Sequence, residues 1–328
     1  MDHIDSSHLQ VFLLTYNRPE LLRKTIRSVL GQAIKVQHIW VLDNGGFPAT
    51  REMLAEFDGL GIEFRDTREF GSWGNLIAAQ TLLQREHVLL LHDDDLIHPE
   101  YLQTALSVLH AFPEINLLTA HTAPWDINQT PQDLPPLSNS GHLFSARDYA
   151  TYVYNARHPS YSLAIYRRDA FQTIQIQANF DRYGKWGDVP LMLETIGSGK
   201  AAVLTDACGW MGMHPGQDSN DESTRPRYQA WIAREANYLR FMGDNPLTLS
   251  GLSFCIMNYR HMSSGYKRRV RKEITFKQFL DKARSANALT KRGDRARFIS
   301  FRIIQKLLES YLKRHYSKKA RPLIGSGG

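Results

Sequence analysis

The chain has 328 residues, long enough to bury a sizeable core in one large domain or two smaller ones. Its 42% hydrophobic and 22% charged residues are ordinary for a globular protein, and no stretch reaches the roughly 18 apolar residues of a membrane span. The N-terminus is polar and acidic and lacks the basic and apolar regions of a signal peptide. Two cysteines, Cys208 and Cys255, are too few for a disulfide framework or a structural zinc site, so we expect a protein of the reducing cytoplasm.

Charge is distributed unevenly along the chain, whose net charge is +7. Residues 259–321 hold 20 Lys and Arg against 4 Asp and Glu, a charge of +16. The totals of 40 basic and 33 acidic residues leave 20 and 29 elsewhere, a charge of −9. An acidic body with a basic tail indicates that the tail meets an anionic partner, either a membrane surface or a nucleic acid.

Strands and helices are expected to alternate over the first 110 residues. Apolar runs predict strands at residues 9–14, 38–42, 63–65 and 88–91, and helical spacing predicts helices at residues 19–30, 76–83 and 99–110. Pro19 stands in the first turn of the first helix and Gly31 near its end. Such alternation is typical of βαβ units, and we therefore predict an α/β fold with a mostly parallel sheet.

Two long polar segments follow this region. Residues 124–142 are rich in Pro, Asn, Ser and Gln and predict a long loop, and residues 214–228 form a second polar stretch that suits a lid. Beyond about residue 230 the apolar spacing becomes helical. We therefore predict an α/β domain of residues 1–230 and a basic, mainly helical C-terminal region of residues 231–328.

Polar clusters lie at the predicted strand ends, at residues 15–18, 43–46, 71–75 and 92–95. Ligands of open parallel sheets bind beyond the carboxyl ends of the strands, so we expect these clusters to converge on one crevice.

The most informative cluster is Asp93-Asp94-Asp95, which directly follows His92 at the end of the apolar strand. Three like charges packed together raise one another's pKa, and a divalent cation removes that cost. Carboxylate oxygens are the ligands that Mg²⁺ and Mn²⁺ prefer. The alternative is a solvated acidic loop without a ligand.

The first hundred residues resemble the inverting family 2 glycosyltransferases of the GT-A fold. The resemblance rests on three motifs in matching order and spacing: Val11-Phe12-Leu13-Leu14-Thr15-Tyr16-Asn17-Arg18, Val41-Leu42-Asp43-Asn44-Gly45-Gly46 and Leu91-His92-Asp93-Asp94-Asp95-Leu96-Ile97-His98-Pro99. It implies transfer of a sugar from a nucleotide-diphosphate donor to an acceptor hydroxyl, with inversion at the anomeric carbon and a divalent metal, Mg²⁺ or Mn²⁺. Donors carrying UDP or dTDP are expected.

Five residues take donor-binding roles through this resemblance. Thr15 and Tyr16 would flank the base and ribose, with Arg18 beside them, and Asp43 would accept a hydrogen bond from the N–H of uracil or thymine. Asn75 lies where the family often contacts the nucleotide. The alternatives are a rim aromatic without a ligand for Tyr16, a residue that shapes the following turn for Asp43, and a helix-cap or turn residue for Asn75.

The register of the acids leaves two assignments open. Counted back from Pro99, His92 takes the place of the first Asp of the family's D-x-D-D run, and Asp94 and Asp95 take the metal and ribose roles. Counted directly as D-x-D, Asp93 and Asp95 take them. We assign Asp95 to the metal, Asp94 to the donor, and Asp93 to both.

Asp188 is the candidate catalytic base. Residues 183–193 are similar to the family's acidic-pair motif, but Gly187 replaces the usual Glu, so Asp188 is the remaining carboxylate that can take the acceptor's hydroxyl proton. Its alternative role is that of a helix N-cap, since Pro190 follows early in a helix.

His214 is a further candidate metal ligand. His214-Pro215-Gly216-Gln217-Asp218-Ser219 resembles the family's His-x-Gly-Gln-x-Ser element, although Gly212-Met213 replace the Tyr-Arg that often precedes it. The alternative is a solvent-exposed loop histidine.

The basic tail predicts an amphipathic helix. Its apolar face comprises Phe298, Phe301, Ile304, Leu308, Tyr311 and Leu312, and the cluster Lys267-Arg268-Arg269-Val270-Arg271-Lys272 precedes it. Such a helix suits peripheral contact with an anionic membrane, here the inner face of the plasma membrane, or packs its apolar face onto the core. Membrane contact would fit a glycan or lipid-linked acceptor in surface polysaccharide or lipopolysaccharide synthesis.

Two other classes of protein compete with this interpretation. A nucleotidyltransferase also uses strand-end acids, but it would normally carry a Gly-rich loop with a Lys after the first strand. A nucleic-acid-binding protein would use the basic tail, but the acidic body and the lack of a recognised binding motif argue against it, so no nucleic acid is expected as a partner.

Overall fold

The computed structural model describes residues 6–46, 48–155, 159–183, 187–215, 307, 310–311, 314–315 and 321–324. Two compact units are present: the first carries all the described strands, and the second begins at Arg147 and includes most of the helix Ala146–Asn155. No helix among the described residues is long and apolar enough to cross a bilayer.

The first unit is built on one large sheet. Its described strands are β1 (Leu9–Thr15), β2 (Ile39–Asp43), β3 (Ile62–Asp66), β4 (His87–His92), β5 (Asp95–Ile97), β6 (Ile115–Asp126), β7 (Ser140–Phe144), β8 (Ile165–Arg167), β9 (Lys200–Met213) and β10 (Arg321–Pro322). They run in the order β10-β7-β9-β6-β8-β4-β1-β2-β3, and β5 pairs with β9 beside this path. Strands β1 to β4 are parallel, as are β6 and β9, while β5, β7, β8 and β10 pair antiparallel.

Helices connect the strands. The described helices are α1 (Pro19–Leu30), α2 (Pro48–Leu54), α3 (Gly74–Leu82), α4 (Tyr101–Ala111), α5 (Ala146–Asn155), α6 (Arg168–Gln172), α7 (Ile176–Tyr183) and α8 (Asp188–Ile196). In α1, Leu22, Thr25, Ile26 and Val29 are buried, which is the spacing of one helical face.

Strand β1 lies at the centre of the N-terminal half. All seven of its residues are buried, because β2 and β4 flank its edges and elements cover both of its faces. In the sheet, β2 and β3 lie on one side of β1, and β4 lies on its other side. The carboxyl ends of β1 and β4 therefore meet at a reversal of strand order, where open α/β sheets bind ligands.

The predicted α/β class and mostly parallel sheet are confirmed, and most predicted elements of the first 110 residues agree to within a few residues. The predicted acidic turn is shorter than expected, since Asp95 already starts β5 and pairs with Met211. The loop expected at residues 124–142 spans only residues 127–139, because β6 extends to Asp126 and β7 begins at Ser140.

The predicted division at residue 230 and the lid beyond Pro215 stay predictions, since both fall on residues outside the described ranges. The same holds for most of the basic tail, of which Tyr311 and Arg314 are described as helical and exposed.

Candidate active site

Asp93 is held by the end of β1 and the turn that follows it. Its Oδ2 accepts hydrogen bonds from Thr15 Oγ1 at 2.6 Å and from the backbone N of Tyr16 at 3.3 Å. Arg18 adds Nε at 3.2 Å from Oδ2 and Nη2 at 2.9 Å from Oδ1. Asn17 turns the chain with φ of 55°, a left-handed conformation that Asn tolerates better than most residues. Burial nevertheless raises the pKa of Asp93 to about 7, against the charge of Arg18.

Asp94 lies between a guanidinium and an imidazole. Its Oδ2 is 2.9 Å from Arg18 Nη1 and 3.0 Å from His214 Nε2. Burial opposes its ionisation, but His92, Arg18 and His214 together lower the pKa of this carboxyl below its usual value. Asp94 is thus the member of the three acids that ionises most readily.

Asp95 points to the opposite side, toward β9. Its Oδ1 accepts a hydrogen bond from the backbone N of Gly212 at 3.0 Å, and Ser162 also bonds its carboxyl. Burial, followed by the charge of Asp94, raises the pKa of Asp95 to about 7. A side chain at position 212 would not fit, because a Cβ there would lie 2.1 Å from the backbone oxygen of Asp94.

The backbone of the acidic segment is fixed by helix α1. The buried hydroxyl of Thr25 lies 2.8 Å from the carbonyl oxygen of Asp93 and 2.9 Å from that of Asp95. From the other side, Ser162 Oγ accepts a hydrogen bond from the backbone N of His92 at 2.9 Å. These contacts hold the acids in one arrangement although their charges repel.

His92, Asp94 and Asp95 form the group best suited to hold a metal ion. Their ligand atoms all lie within 4.8 Å of one another. Imidazole nitrogen and carboxylate oxygen together suit divalent cations such as Mn²⁺. Burial and, after it, the charge of Asp94 raise the pKa of Asp95, and a divalent cation beside this carboxyl would favour its charged form. The residues therefore fit a divalent metal.

Asp43 is a buried carboxylate at the end of β2 with one oxygen that has no hydrogen-bond partner among the described residues. It ends β2 and is buried, and its Oδ1 accepts a hydrogen bond from the backbone N of Gly45 at 2.7 Å. Among the described residues, its Oδ2 has no hydrogen-bond partner. A buried acceptor without a partner carries an energetic penalty that a ligand N–H would relieve.

Tyr16 and Asn75 lie at the same edge in different environments. Tyr16 is 59% exposed, so its ring is accessible to a ligand. Asn75 donates from Nδ2 to the carbonyl of Thr15 at 3.0 Å and accepts from the Thr67 hydroxyl at 2.6 Å. These contacts brace the end of β1, and the predicted nucleotide contact of Asn75 stays a prediction.

Asp188 occupies the first turn of α8. It is half-buried, and its Oδ1 lies 2.8 Å from the backbone N of Val189. Buried Asn179 donates to the carbonyl of Gly187 at 2.9 Å and fixes the start of this helix. Burial and the charge of Asp188 raise the pKa of Tyr161, whose ring lies 5.6 Å from that of His92. Tyr161 is therefore within electrostatic range of Asp188 and in ring contact with His92.

The structure brings together most residues that the sequence singled out. Thr15, Arg18, Asp93, Asp94 and His214 form one connected set of contacts. The predicted metal roles of Asp93, Asp95 and His214 stay predictions: the carboxylate of Asp93 faces Thr15 and Arg18, and His92 joins Asp94 and Asp95 in the closest group of donors.

Thr25, Ser162 and the close approach at Gly212 were not found by sequence reasoning. The one sequence feature that could have indicated the role of Thr25 is a hydroxyl among the apolar residues on the buried face of α1. Ser162 and Gly212 are far from the acids in sequence and left no local pattern.

Comparison with known proteins agrees with this site. Residues 10–175, just over half of the chain, match the family model of glycosyl transferase family 2. No curated protein gives a significant match to the sequence.

Two solved structures illustrate the fold. A fragment of S. aureus TarS, residues 1-349 in complex with UDP-GlcNAc, has a TM-score of 0.61 at 14% identity and covers 94% of this chain and 91% of its own. The mannosyltransferase PcManGT from Pyrobaculum calidifontis, in complex with GDP-Man and Mn²⁺, has a TM-score of 0.50 at 16% identity. This match covers 93% of the present chain and 84% of the mannosyltransferase chain. At such identities the likeness concerns the fold alone.

The polar side chains gathered at the ends of β1, β2 and β4, the matching family model and the shared fold agree with one another. The chain belongs to glycosyl transferase family 2 and is a glycosyltransferase of the GT-A fold.

Proposed function

We propose that the protein transfers a sugar from a uridine or thymidine diphosphate donor to a hydroxyl of a glycan or lipid-linked acceptor, with inversion and with a divalent metal. The observation that carries this proposal is the buried set of acids at the end of β4, joined through Arg18 and Thr15 to the end of β1. A role in surface polysaccharide synthesis on the inner face of the plasma membrane belongs to the same proposal.

The choice of a pyrimidine follows from Asp43. Its Oδ1 is already bonded to Gly45, so Oδ2 is the acceptor left for a base. Uracil and thymine each present one ring N–H, which matches one acceptor. Guanine presents a ring N–H and an amino group side by side, and its second donor would have no partner on this carboxylate. Tyr16, exposed at the rim, supplies an aromatic face for the base.

The diphosphate would lie near Arg18 and the acids. His92, Asp94 and Asp95 would hold the metal, with His214 close to Asp94. A bound Mg²⁺ or Mn²⁺ supplies positive charge that stabilises the nucleoside diphosphate as it leaves. Arg18 contributes a fixed guanidinium suited to phosphate oxygens.

The transfer itself requires one base. Asp188 takes the proton of the acceptor hydroxyl while the oxygen of that hydroxyl attacks the anomeric carbon. The bond from that carbon to the diphosphate oxygen breaks, and its electron pair leaves with the nucleoside diphosphate. Attack on the face opposite the leaving group inverts the configuration. Alignment of donor and acceptor can lower the barrier by about 7–11 kcal/mol.

A thermal-shift experiment tests donor recognition. UDP and dTDP should stabilise the protein only when Mn²⁺ or Mg²⁺ is present, and GDP should stabilise it less. In Asp43→Asn, the amide nitrogen would replace Oδ2 and face the N–H of the base, so the uridine-dependent shift should vanish. Asp58→Asn changes an exposed carboxylate and serves as the matched control. Equal shifts with GDP, or an Asp43→Asn variant that responds like the wild type, would contradict the assignment.

A further inference from the structure

Arg18 Nη1 lies where two candidate metal-ligand atoms meet. It is 2.9 Å from Asp94 Oδ2 and 3.2 Å from His214 Nε2, and these two atoms are 3.0 Å apart. Both present lone pairs that a metal ion would use in the neutral tautomer of His214 that carries its proton on Nδ1, which is also the tautomer whose Nε2 accepts from Arg18. The guanidinium is thus positioned as a cation shared by a carboxylate and an imidazole.

The other side of the guanidinium is anchored independently. Nε donates a hydrogen bond to Asp93 Oδ2 at 3.2 Å, Nη2 lies 2.9 Å from Oδ1 in an ion pair, and Asp93 is fully buried. Arg18 therefore keeps a firm attachment to the site when Nη1 changes partner. Its side chain is 31% exposed, which leaves an open side toward the crevice.

A metal ion and Nη1 cannot use the same two atoms together. Two positive charges about 3–4 Å apart repel strongly in a poorly solvated site. Binding of a cation to Asp94 and His214 must therefore displace Nη1. A released guanidinium nitrogen gains an anionic partner when a diphosphate is present, because its planar fork fits phosphate oxygens.

We propose that Arg18 is a positioning residue that acts as a built-in substitute cation: it holds Asp94 and His214 together before the donor binds and yields them when metal and diphosphate arrive together. This inference rests on the proposed function and deepens it. Its consequence is that metal alone binds weakly, because it must displace Arg18, whereas metal with nucleotide binds tightly. Arg18 thus couples metal binding to donor binding.

The test measures Mn²⁺ affinity from the electron paramagnetic resonance signal of free Mn²⁺, with and without UDP. In the wild type, UDP should increase Mn²⁺ affinity by about ten-fold or more, a typical size for coupling between two sites. In Arg18→Gln, Mn²⁺ alone should bind about five-fold more tightly, and the effect of UDP should shrink to about three-fold or less. Arg23→Gln is the matched control, since Arg23 lies five residues further on, within α1, and bonds Glu20 and Glu56.

The possible results separate the two proposals. Weaker Mn²⁺ binding by folded Arg18→Gln, or an unchanged effect of UDP, would overturn the role of Arg18 and leave the proposed function intact. A wild type that binds no Mn²⁺ with or without UDP would overturn both. If Arg18→Gln does not fold, Arg18→Met, which keeps an apolar stem without the charge, must show the same gain in affinity for Mn²⁺ alone, or the inference fails.

Discussion

Single carboxylates at the end of the sheet differ in what their oxygens already bond. Asp93 Oδ2 accepts hydrogen bonds from Thr15, Tyr16 and Arg18, and Asp93 Oδ1 has Arg18 Nη2 at 2.9 Å in an ion pair without hydrogen-bond geometry. Asp43 Oδ1 accepts from Gly45, and among the described residues its Oδ2 has no hydrogen-bond partner. Asp188 bonds the backbone of Val189 and stays half-buried. Residues whose bonds are satisfied within the protein maintain the site, and residues with unused acceptors are the ones available to a ligand.

Replacement of Asp188 tests the catalytic assignment. Asp188→Asn keeps an oxygen that can accept from Val189 but cannot take a proton from the acceptor. The rate of transfer should fall by about 10²–10⁴-fold, the usual contribution of a general base. UDP affinity, measured by calorimetry, should stay within about two-fold of the wild type, since removal of a group that acts in the transition state spares ground-state binding.

The control for this variant is Asp181→Asn, which changes an exposed carboxylate on α7. Simultaneous loss of nucleotide affinity and transfer in Asp188→Asn would indicate a structural role instead.

The burial of His87 predicts that the stability of the protein depends on pH, independently of the active site. It starts β4 at the opposite end from the acids, and burial lowers its pKa from 6.5 to about 4. Below pH 6.5 the His87 imidazole becomes protonated in the unfolded chain but stays neutral in the folded protein. The folded state should therefore lose up to about 3 kcal/mol as the pH falls from 6.5 to about 4.

Denaturant unfolding at pH 7.5 and pH 5 checks this effect. His87→Leu should show a smaller loss of unfolding free energy between the two pH values than the wild type. His110→Leu, which changes an exposed histidine, should behave like the wild type. An identical pH response in all three proteins would exclude His87 as the cause.

At the scale of elements, the site depends on the pairing of β5 with β9. This pairing places Gly212 against Asp94 and brings the start of the segment with His214 next to the acids. The short strand β5 begins at Asp95, so one residue both extends the sheet and contributes to the site.

Gly212→Ala should disrupt this pairing. The added Cβ would lie 2.1 Å from the Asp94 backbone oxygen, and backbone atoms must move to admit it. We expect a loss of about 1–3 kcal/mol in unfolding free energy, the usual cost of an overpacked site, together with weaker Mn²⁺ binding. Met213→Ala, at the next residue and 43% exposed, should change stability by about 0.5 kcal/mol or less. Equal stability of the two variants would show that the close approach does not constrain β9.

Elements near one another in sequence were predictable. The apolar run of β1, the Pro19 start of α1 and the acids at the end of β4 specify the N-terminal half through local patterns. The group of His92, Asp94 and Asp95 corresponds to one of the two registers that the sequence left open. The sequence could not choose between them, because Ser162 and Gly212 fix the group from elements far along the chain. Residues 124–126 and 140–142 were assigned to a loop because the stretch 124–142 is rich in Pro, Asn and Ser, which favour turns, yet pairing with β9 and β10 draws them into strands.

At the scale of the whole molecule, the contrast between an acidic body and a basic tail predicts attraction to anionic membranes. We expect the full-length protein to sediment with vesicles that contain anionic lipid and to remain in solution with neutral vesicles. Replacement of Lys267, Arg268, Arg269, Arg271 and Lys272 by Gln should weaken this binding by at least about ten-fold, because each basic residue near such a surface contributes about 1 kcal/mol. Equal sedimentation of wild type and variant would exclude a contribution from this cluster.

The central claim is that acids at the ends of β2 and β4 bind a pyrimidine nucleotide sugar, with a divalent metal held by those that follow β4. Its most direct test is the release of nucleoside diphosphate from a panel of UDP, dTDP and GDP sugars, with Mn²⁺ and then with excess chelator. The account predicts release from a uridine or thymidine diphosphate sugar that stops when the metal is removed. Release that continues at the same rate in chelator, or that occurs only with a guanosine diphosphate sugar, would contradict it.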